Sequence, residues 1–544
     1  MFPSESSSIG DTASCNEKAQ NEVTIGDEPH EEEYPSSFRL LAVVVALVLS
    51  MFLASLEMTI IAMAIPKITD QFHSLNDVGW YGSAFFLTVS GFQASWGKAY
   101  KYFDMKSVFL SGIMIFELGS LLCGLAQSST MLIIGRAITG IGAAGVITGS
   151  YCIVAFAVPP VRRPAFTGIM GATYGVASVL GPLLGGAFTD SSVTWRFCFY
   201  VNLPIGAVSV AIIFFVFRTP AASKSDEARQ ATLMEKLKHM DILGMLTIMA
   251  AIVCLLLALQ WGGVTKSWKS ADVVGTLIGF GVLMIVFAIV EYTQGQRAMI
   301  VPNIMRQRVV WVGSLFSLFL GSAFFVLLYY ILIYFQAVLG VSAEQSGIRS
   351  LALIVSETIL TILSGALISS FGYFAPMMIV GPALATIASG MIYTFDINSK
   401  AGAWVGWQVL AGAGIGLCFQ APIMAGQALA APEDISTTTG LLMFWQTLGG
   451  ALFVQAAQSA FSNTLVQGLT KYAPDLDPAA VVAVGATEIR KTFDASGLPG
   501  VLHAYMDGLK VAFALTIALS GYAVIIGLFT PWTNIKGKKV VGAV

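Results

Sequence analysis

The chain has 544 residues, of which 56% are hydrophobic and only 11% charged, and its formal net charge is −2. Soluble domains carry about 25% charged residues, so a water-soluble enzyme, a nucleic-acid-binding protein and a disordered scaffold are excluded for most of the chain. The mean hydropathy of +0.77 instead indicates a polytopic membrane protein.

Residues 1–38 differ from the rest of the chain because they are acidic, rich in serine and without apolar periodicity. This composition is typical of disorder, and it predicts a disordered acidic tail in the cytosol. The segment also lacks the basic start and apolar core of a cleaved signal peptide.

Fourteen apolar segments are long enough to span a bilayer, which takes about 20 residues. They lie at 41–65, 79–96, 107–126, 132–157, 165–188, 198–217, 241–261, 272–292, 311–334, 347–370, 375–394, 402–424, 436–462 and 510–530. The remaining segments are predicted as a cytosolic linker at 218–240, an external loop at 463–509 and a cytosolic tail at 531–544. The fold class is therefore an all-α polytopic membrane protein.

Basic residues concentrate in alternate loops, for example at Lys98, Arg162, Lys236 and Arg306. Loops rich in lysine and arginine stay on the cytosolic side of a membrane. With an even number of spans, this asymmetry predicts that both termini are cytosolic.

Glycines recur at a constant spacing, with Gly97 matched by Gly365 and Gly181 by Gly449. Transporters are commonly built from such repeats, with the substrate site near the membrane midplane between them. The predicted units are an N-terminal six-helix bundle at 40–217, an extra helix pair at 241–292 and a C-terminal six-helix bundle at 311–530.

The ionisable residues inside the apolar spans include Glu57, Glu117, Arg136 and Glu357. A charge inside a membrane is expensive and is by default a candidate for function. We therefore predict that these residues handle protons. For Glu57 a structural hydrogen bond or a counter-ion role is the alternative.

Six motifs accompany these residues. They are residues 55–66 in span one, 77–84 before span two, 97–106 after it, 135–144 in span four, 175–186 in span five and 195–206 before span six. In these motifs the chain resembles the major facilitator superfamily, and within it the fourteen-span drug:proton antiporters of the fungal toxin and multidrug efflux branch. The resemblance implies two six-helix bundles plus two extra central helices, and it places Arg136 beside the proton pathway.

The segment that contains Gly181, Pro182, Gly185 and Gly186 resembles the antiporter motif of that family. Glycines permit close helix approach, and a proline inside a helix bends it. The resemblance implies a role in conformational change, with ordinary small-residue packing as the alternative.

The segment after span two carries Gly97, Lys98, Lys101, Asp104 and Lys106. Its resemblance to the family's loop between spans two and three implies a cytosolic gate. Simple anchoring of the helix end by positive charges is the alternative.

Polar and aromatic residues of the C-terminal half are predicted to line a substrate cavity. They are Tyr329, Gln408, Gln420, Trp445 and Gln446. Amides and aromatic faces with few charges suit bulky amphiphilic organic molecules, while helix packing is the alternative for each residue.

The chain contains no GxxxxGK[ST] nucleotide-binding motif, no CxxC pair and no histidine cluster, so neither a cofactor nor a metal is predicted. Energy should come from an ion gradient, and the resemblance favours protons. We expect a monomeric, non-enzymatic exporter of toxins, drugs or secondary metabolites in the plasma membrane, or in a vacuolar or vesicular one. Proton-coupled uptake of siderophores or vacuolar amino acid import is the alternative, and a membrane enzyme or sensor is the remote one.

Overall fold

The computed structural model describes residues 36–72, 77–191, 194–220, 226–263, 265–483, 489–494 and 497–536. Most of the tail predicted at 1–38 and the end of the tail predicted at 531–544 lie outside these ranges. Helix α1 already begins at Ser37, so the predicted boundary at residue 38 is two residues too late.

Helices make up the regular structure of the described residues. The N-terminal half contains α1 Ser37–Thr59, α2 Ile61–Phe72, α3 Val78–Tyr102, α4 Met105–Gly124, α5 Ser129–Ala157, α6 Arg163–Asp190, α7 Phe197–Tyr200 and α8 Asn202–Val216. The middle contains α9 Asp226–Gln230, α10 Leu233–Lys238, α11 Ile242–Trp261, α12 Ala271–Gln294 and α13 Pro302–Met305. The C-terminal half contains α14 Arg308–Ile333, α15 Ala343–Phe371, α16 Ala375–Tyr393, α17 Ala401–Cys418, α18 Ala421–Leu429, α19 Ile435–Tyr472, α20 Pro478–Ala483, α21 Ile489–Thr492 and α22 Leu498–Gly527.

Thirteen helical segments of the described chain are long and apolar enough to cross a membrane. The predicted second span is also a helix, α3, which has the necessary length but includes the polar Gln93 and Lys98. Every predicted span therefore falls on one helix or on two consecutive helices.

Several predicted boundaries are wrong. Helix α19 continues to Tyr472 and α22 begins at Leu498, so the loop predicted at 463–509 is confined to residues 473–497. The two helices pack on each other beyond the apolar window, and Leu469 and Val501 are fully buried there. Hydropathy does not detect this extension because tertiary packing, not lipid, stabilises it.

Three of the predicted spans are interrupted, and in the sixth the break is at Val201, between α7 and α8. The first breaks at Ile60, after which α2 runs on to Phe72, and the twelfth breaks between α17 and α18 at Phe419 and Gln420. Conversely, residues 97–102 continue α3 instead of forming a loop. The breaks at Ile60 and at Phe419 and Gln420 lie beside candidate functional residues.

The two six-helix halves meet along two helix pairs, in which α3 packs on α19 and α6 packs on α15. The extra helices α11 and α12 form a hairpin, and α11 contacts α3 and α19. We call the α6–α15 contact the lateral seam.

The recurring glycines occupy matching positions in this arrangement. Gly97 of α3 lies against α19, where an added β-carbon would be 2.8 Å from the Ser436 carbonyl oxygen. Gly365 of α15 lies against α6, where an added β-carbon would be 2.5 Å from the Pro164 carbonyl oxygen. The recurrence therefore reflects two halves that approach each other through equivalent glycines.

Candidate functional site

Glu57 and Arg136 form an ion pair that is completely buried in the N-terminal half. The Arg136 Nη1 atom lies 2.6 Å from Glu57 Oε1, and both side chains are 0% exposed. Arg136 Nε donates to the Tyr81 carbonyl oxygen at 2.8 Å, and the guanidinium lies 4.5 Å from the Phe85 ring centroid. Two charges buried in this way are tolerated only because each is paired and hydrogen-bonded.

Asn202 completes the coordination of Glu57. Its Nδ2 donates to Glu57 Oε2 at 2.7 Å and to Ser120 Oγ at 3.1 Å. The residue lies in the first turn of α8 and is 0% exposed. Sequence reasoning placed Asn202 within a family motif but gave it no role. A buried amide at the start of an apolar span was the signal available.

Glu117 lies on α4 beside this pair, three residues before Ser120, whose hydroxyl accepts from Asn202. Neither of its carboxylate oxygens has a hydrogen-bond partner among the described residues. The carboxylate fits against α8 because Gly206 has no β-carbon, which would overlap Glu117 Oε1. Three of the four predicted proton-handling residues, Glu57, Arg136 and Glu117, are thus neighbours.

The antiporter-like segment of α6 packs on the chain at the break that follows α1, close to Glu57. Thr59 Oγ1 contacts the Leu56 carbonyl at 3.2 Å and the Ala177 carbonyl at 3.4 Å. An added β-carbon on Gly181 would overlap the Thr59 hydroxyl, and one on Gly185 would lie 2.6 Å from the Ile60 carbonyl oxygen. The absence of side chains at these glycines is what lets α6 approach α1 here.

Pro182 and Gly186 differ from the two contact glycines. Pro182 lies inside α6, where it supplies no backbone N–H for the helix. A β-carbon on Gly186 would meet nothing within 4 Å. The four predicted residues therefore divide into two that contact α1, one that interrupts the hydrogen-bond ladder and one that faces open space.

Lys98 is buried at the end of α3, with 2% of its surface exposed. Its ammonium group donates to the carbonyl oxygens of Arg297, at 2.8 Å, and Ala298. These carbonyls belong to the segment that joins α12 to α13. The same segment is held by Asp241 Oδ2, which accepts from Met299 N at 2.8 Å.

Lys101 and Gly97 connect α3 directly to the C-terminal half. Lys101 Nζ lies 2.8 Å from Asp434 Oδ1, and these side chains are 13% and 22% exposed. Gly97 packs on Gly440, with an added β-carbon 3.0 Å from its α-carbon. This end of the α3–α19 contact is therefore closed by an ion pair and a glycine contact.

The hydrogen bonds from Ser107 to Asp104 and from Lys106 to Phe214 lie within the N-terminal half. Asp104 caps α4 by accepting from Ser107 N at 3.0 Å, which satisfies a first-turn amide. Lys106 Nζ donates to the Phe214 carbonyl oxygen at 2.5 Å, within the N-terminal half. Of the five predicted gate residues, Gly97 and Lys101 bridge the halves, while Lys98 holds the segment after the extra helix pair.

Glu357 is separated from the other predicted proton-handling residues, since it lies on α15 in the C-terminal half and is 3% exposed. Its Oε1 accepts from Thr361 Oγ1 at 3.0 Å. An added β-carbon on Gly175 of α6 would lie 3.3 Å from its Oε2. Glu357 thus faces the lateral seam.

The predicted cavity residues have different surroundings. Gln408, Gln420 and Gln446 are buried, whereas Tyr329 is 47% exposed. Gln446 Nε2 donates to the Phe419 carbonyl oxygen at 3.2 Å, and Trp445 packs edge-on against Phe444. Gln420 and Gln446 thus lie near the α17–α18 break. Gln408 lies earlier on α17, where its Nε2 donates to the Trp404 carbonyl oxygen at 2.9 Å, and Tyr329 lies on α14.

Known proteins resemble this chain over most of its length. The family model described as Major Facilitator Superfamily matches residues 47–454. An MFS-type transporter of Pestalotiopsis microspora is 50% identical over 523 residues, which cover 95% of this chain and 96% of the relative. An MFS-type efflux pump of Trichophyton rubrum is 43% identical over 516 residues, which cover 95% and 96%.

Among solved structures, a proton:xylose symporter has a TM-score of 0.59 and 14% identity, and the alignment covers 92% of this chain and 98% of that one. At this identity the likeness shows the fold alone. The family predicted from the motifs is confirmed by the sequence matches. With its two six-helix halves and its extra helix pair, the chain belongs to the Major Facilitator Superfamily.

Proposed function

We propose that this protein exports small amphiphilic organic molecules by proton-coupled alternating access. Export is supported by the Trichophyton rubrum relative, which is named an efflux pump. Toxins, drugs and secondary metabolites are the expected cargo. The protein acts as a monomer in the plasma membrane, with both termini in the cytosol.

The observation that carries the proton coupling is the buried Glu57–Arg136 pair at 2.6 Å. Protonation of Glu57 removes its charge and with it most of the attraction to Arg136. An unpaired buried arginine is unfavourable, so the surroundings of the pair must rearrange. Glu117, which lies beside the pair, is the second carboxylate that can exchange a proton there.

This rearrangement can be transmitted from Glu57 to the contact between the two halves. Glu57 lies two residues before Thr59, which contacts α6 at Gly181. Helix α6 in turn packs on α15 at the lateral seam. A change at Glu57 therefore acts on the contact between the two halves, as alternating access requires.

Basic residues such as Lys98 and Lys101 lie at the C-terminal end of α3. Because positively charged ends of spans stay in the cytosol, we take this end as the cytosolic one. The Lys101–Asp434 ion pair then closes the cytosolic end of the α3–α19 contact. Loading of cargo from the cytosol requires this pair to separate.

The proposal is tested by reconstituting the purified protein into liposomes with an imposed pH gradient and a fluorescent amphiphilic dye, rhodamine 6G. We expect gradient-driven dye transport by the natural protein and none by Glu57→Gln. Glu344→Gln is the matched control, because Glu344 is exposed in the first turn of α15. Dye transport indifferent to the gradient would refute coupling, and a fully active Glu57→Gln protein would exclude this carboxylate.

A further inference from the structure

A second buried polar group lies on the lateral seam, away from the Glu57–Arg136 pair. It consists of Glu357 and Thr361 of α15, Gln420 at the α17–α18 break and Tyr151 of α5, and we call it the seam cluster. Tyr151 is 1% exposed, and its side chain lies beside that of Gln420. Residues of both halves therefore meet in one polar group.

The seam cluster contains two acceptors that lack donors. Glu357 Oε2 and Gln420 Oε1 are buried and have no hydrogen-bond partner among the described residues. Thr358 also lies beside Glu357, and its hydroxyl donates to the Ile354 carbonyl at 2.8 Å. The single proton of Thr361 is shared between Glu357 Oε1 at 3.0 Å and the Gly416 carbonyl at 3.2 Å. A buried acceptor without a donor is unfavourable. These two oxygen atoms are therefore suited to a ligand that donates hydrogen bonds to them.

Helix α6 packs closely on these acceptors through two glycines. An added β-carbon on Gly171 would lie 2.7 Å from Gln420 Nε2, and one on Gly175 would lie 3.3 Å from Glu357 Oε2. At both positions α6 presents only backbone to the seam cluster. Separation of α6 from α15 would expose the acceptors and the glycine surface together.

Aromatic rings adjoin the same place. Tyr174, between the two glycines in sequence, packs edge-on against Phe324 with ring centroids 6.0 Å apart. Phe419, next to Gln420, packs on the same Phe324 at 5.1 Å. Planar apolar molecules bind well to such rings through offset or edge contacts.

We propose that the seam cluster selects aromatic substrates that carry hydroxyl donors, with Glu357 Oε2 and Gln420 Oε1 accepting their hydrogen bonds. This inference rests on the proposed export function and names the chemistry of its cargo. Hydrogen bonds from a hydroxyl to a carboxylate are about twice as strong as neutral ones. The aromatic rings bind the body of the molecule, and the two acceptors distinguish a free hydroxyl from a capped one.

The test uses two probes that differ only in donors, 2,6-dihydroxyanthraquinone and 2,6-dimethoxyanthraquinone. Binding to the purified full chain in lipid nanodiscs is measured by fluorescence, and transport is measured in liposomes under a pH gradient. We expect the dihydroxy compound to bind at least about ten-fold more tightly, which corresponds to one good hydrogen bond. Equal binding of the two compounds would overturn the inference.

Two variants assign that preference to the seam cluster. Glu357→Met and Gln420→Met, which remove the acceptor oxygens, should each reduce the ratio of the two affinities about ten-fold by weakening binding of the dihydroxy compound. Ratios equal to that of the natural protein in both variants would refute the assignment. Because a ratio within one preparation is compared, partial loss of folded protein does not affect the result.

Glycine variants of α6 provide an independent check. Gly175→Ala should weaken binding of both compounds, because its β-carbon points at Glu357 and Thr358. Gly186→Ala, on the same helix but with nothing within 4 Å, should bind like the natural protein, and equal effects of the two would count against the site. If neither compound is transported under a gradient, the export function fails, whereas the binding ratios still decide the seam cluster.

Discussion

Thr59 and Gly181 are in direct contact where α1 breaks, and a β-carbon on Gly181 would overlap the Thr59 hydroxyl. The contact lies two residues from Glu57, so the antiporter-like segment of α6 is attached to the chain beside the buried ion pair. Gly186, in the same segment, has no such neighbour. The segment is therefore not uniform, and its glycines can be tested one by one.

We predict that Gly181→Ala lowers stability by about 1–3 kcal/mol, as overpacking does, and slows gradient-driven transport. Gly186→Ala should leave both unchanged. Thermal unfolding in detergent and dye transport in liposomes provide the measurements. Identical behaviour of the two variants would mean that contact with Thr59 is not what the segment provides.

The single variant Arg136→Gln should destabilise the protein more than the double variant Glu57→Gln,Arg136→Gln. The single variant leaves Glu57 buried without its cation, which costs about 3–5 kcal/mol when a buried pair is broken. Removing both charges eliminates that penalty. A double-mutant cycle on thermal unfolding measures the coupling, and additive effects of the two substitutions would show that the pair does not interact.

Asn202→Leu should impair transport even though residue 202 carries no charge. Its Nδ2 is the donor to Glu57 Oε2 and to Ser120, and loss of a hydrogen bond to a charged group costs about 1.5–3 kcal/mol. Transport rates should fall more steeply than the yield of folded protein. Asn202→Gln keeps the amide, and better activity than in Asn202→Leu is expected if donation is what matters.

The sequence predicted the charged members of the buried pair because a charge in an apolar span stands out. The uncharged Asn202 does not stand out from its span in this way. Its role depends on how α8 is placed beside α1 and α4. Lys98 was selected for its charge, but its partners are backbone carbonyls about 200 residues away, which no local pattern encodes. The number of helices follows from hydropathy. The break at Ile60 and the extension of α19 to Tyr472 depend on tertiary packing.

Disruption of the Lys101–Asp434 pair should open the contact between α3 and α19. The pair is partly exposed, so its contribution is modest, about 1 kcal/mol or less. Asp434→Asn should therefore shift the conformational equilibrium without unfolding the protein. The charge-reversed double variant Lys101→Asp,Asp434→Lys should restore it.

Native Cys152 reports this opening, because it is 0% exposed and lies near the Ser436 carbonyl, 4.0 Å from its Sγ. In a chain with Cys152 as its sole cysteine, Asp434→Asn should speed labelling by a small thiol reagent about two- to five-fold, the factor that corresponds to 1 kcal/mol or less. The reversed pair should return the rate to its original value. A labelling rate unchanged by Asp434→Asn would show that the ion pair does not control access to the α3–α19 contact.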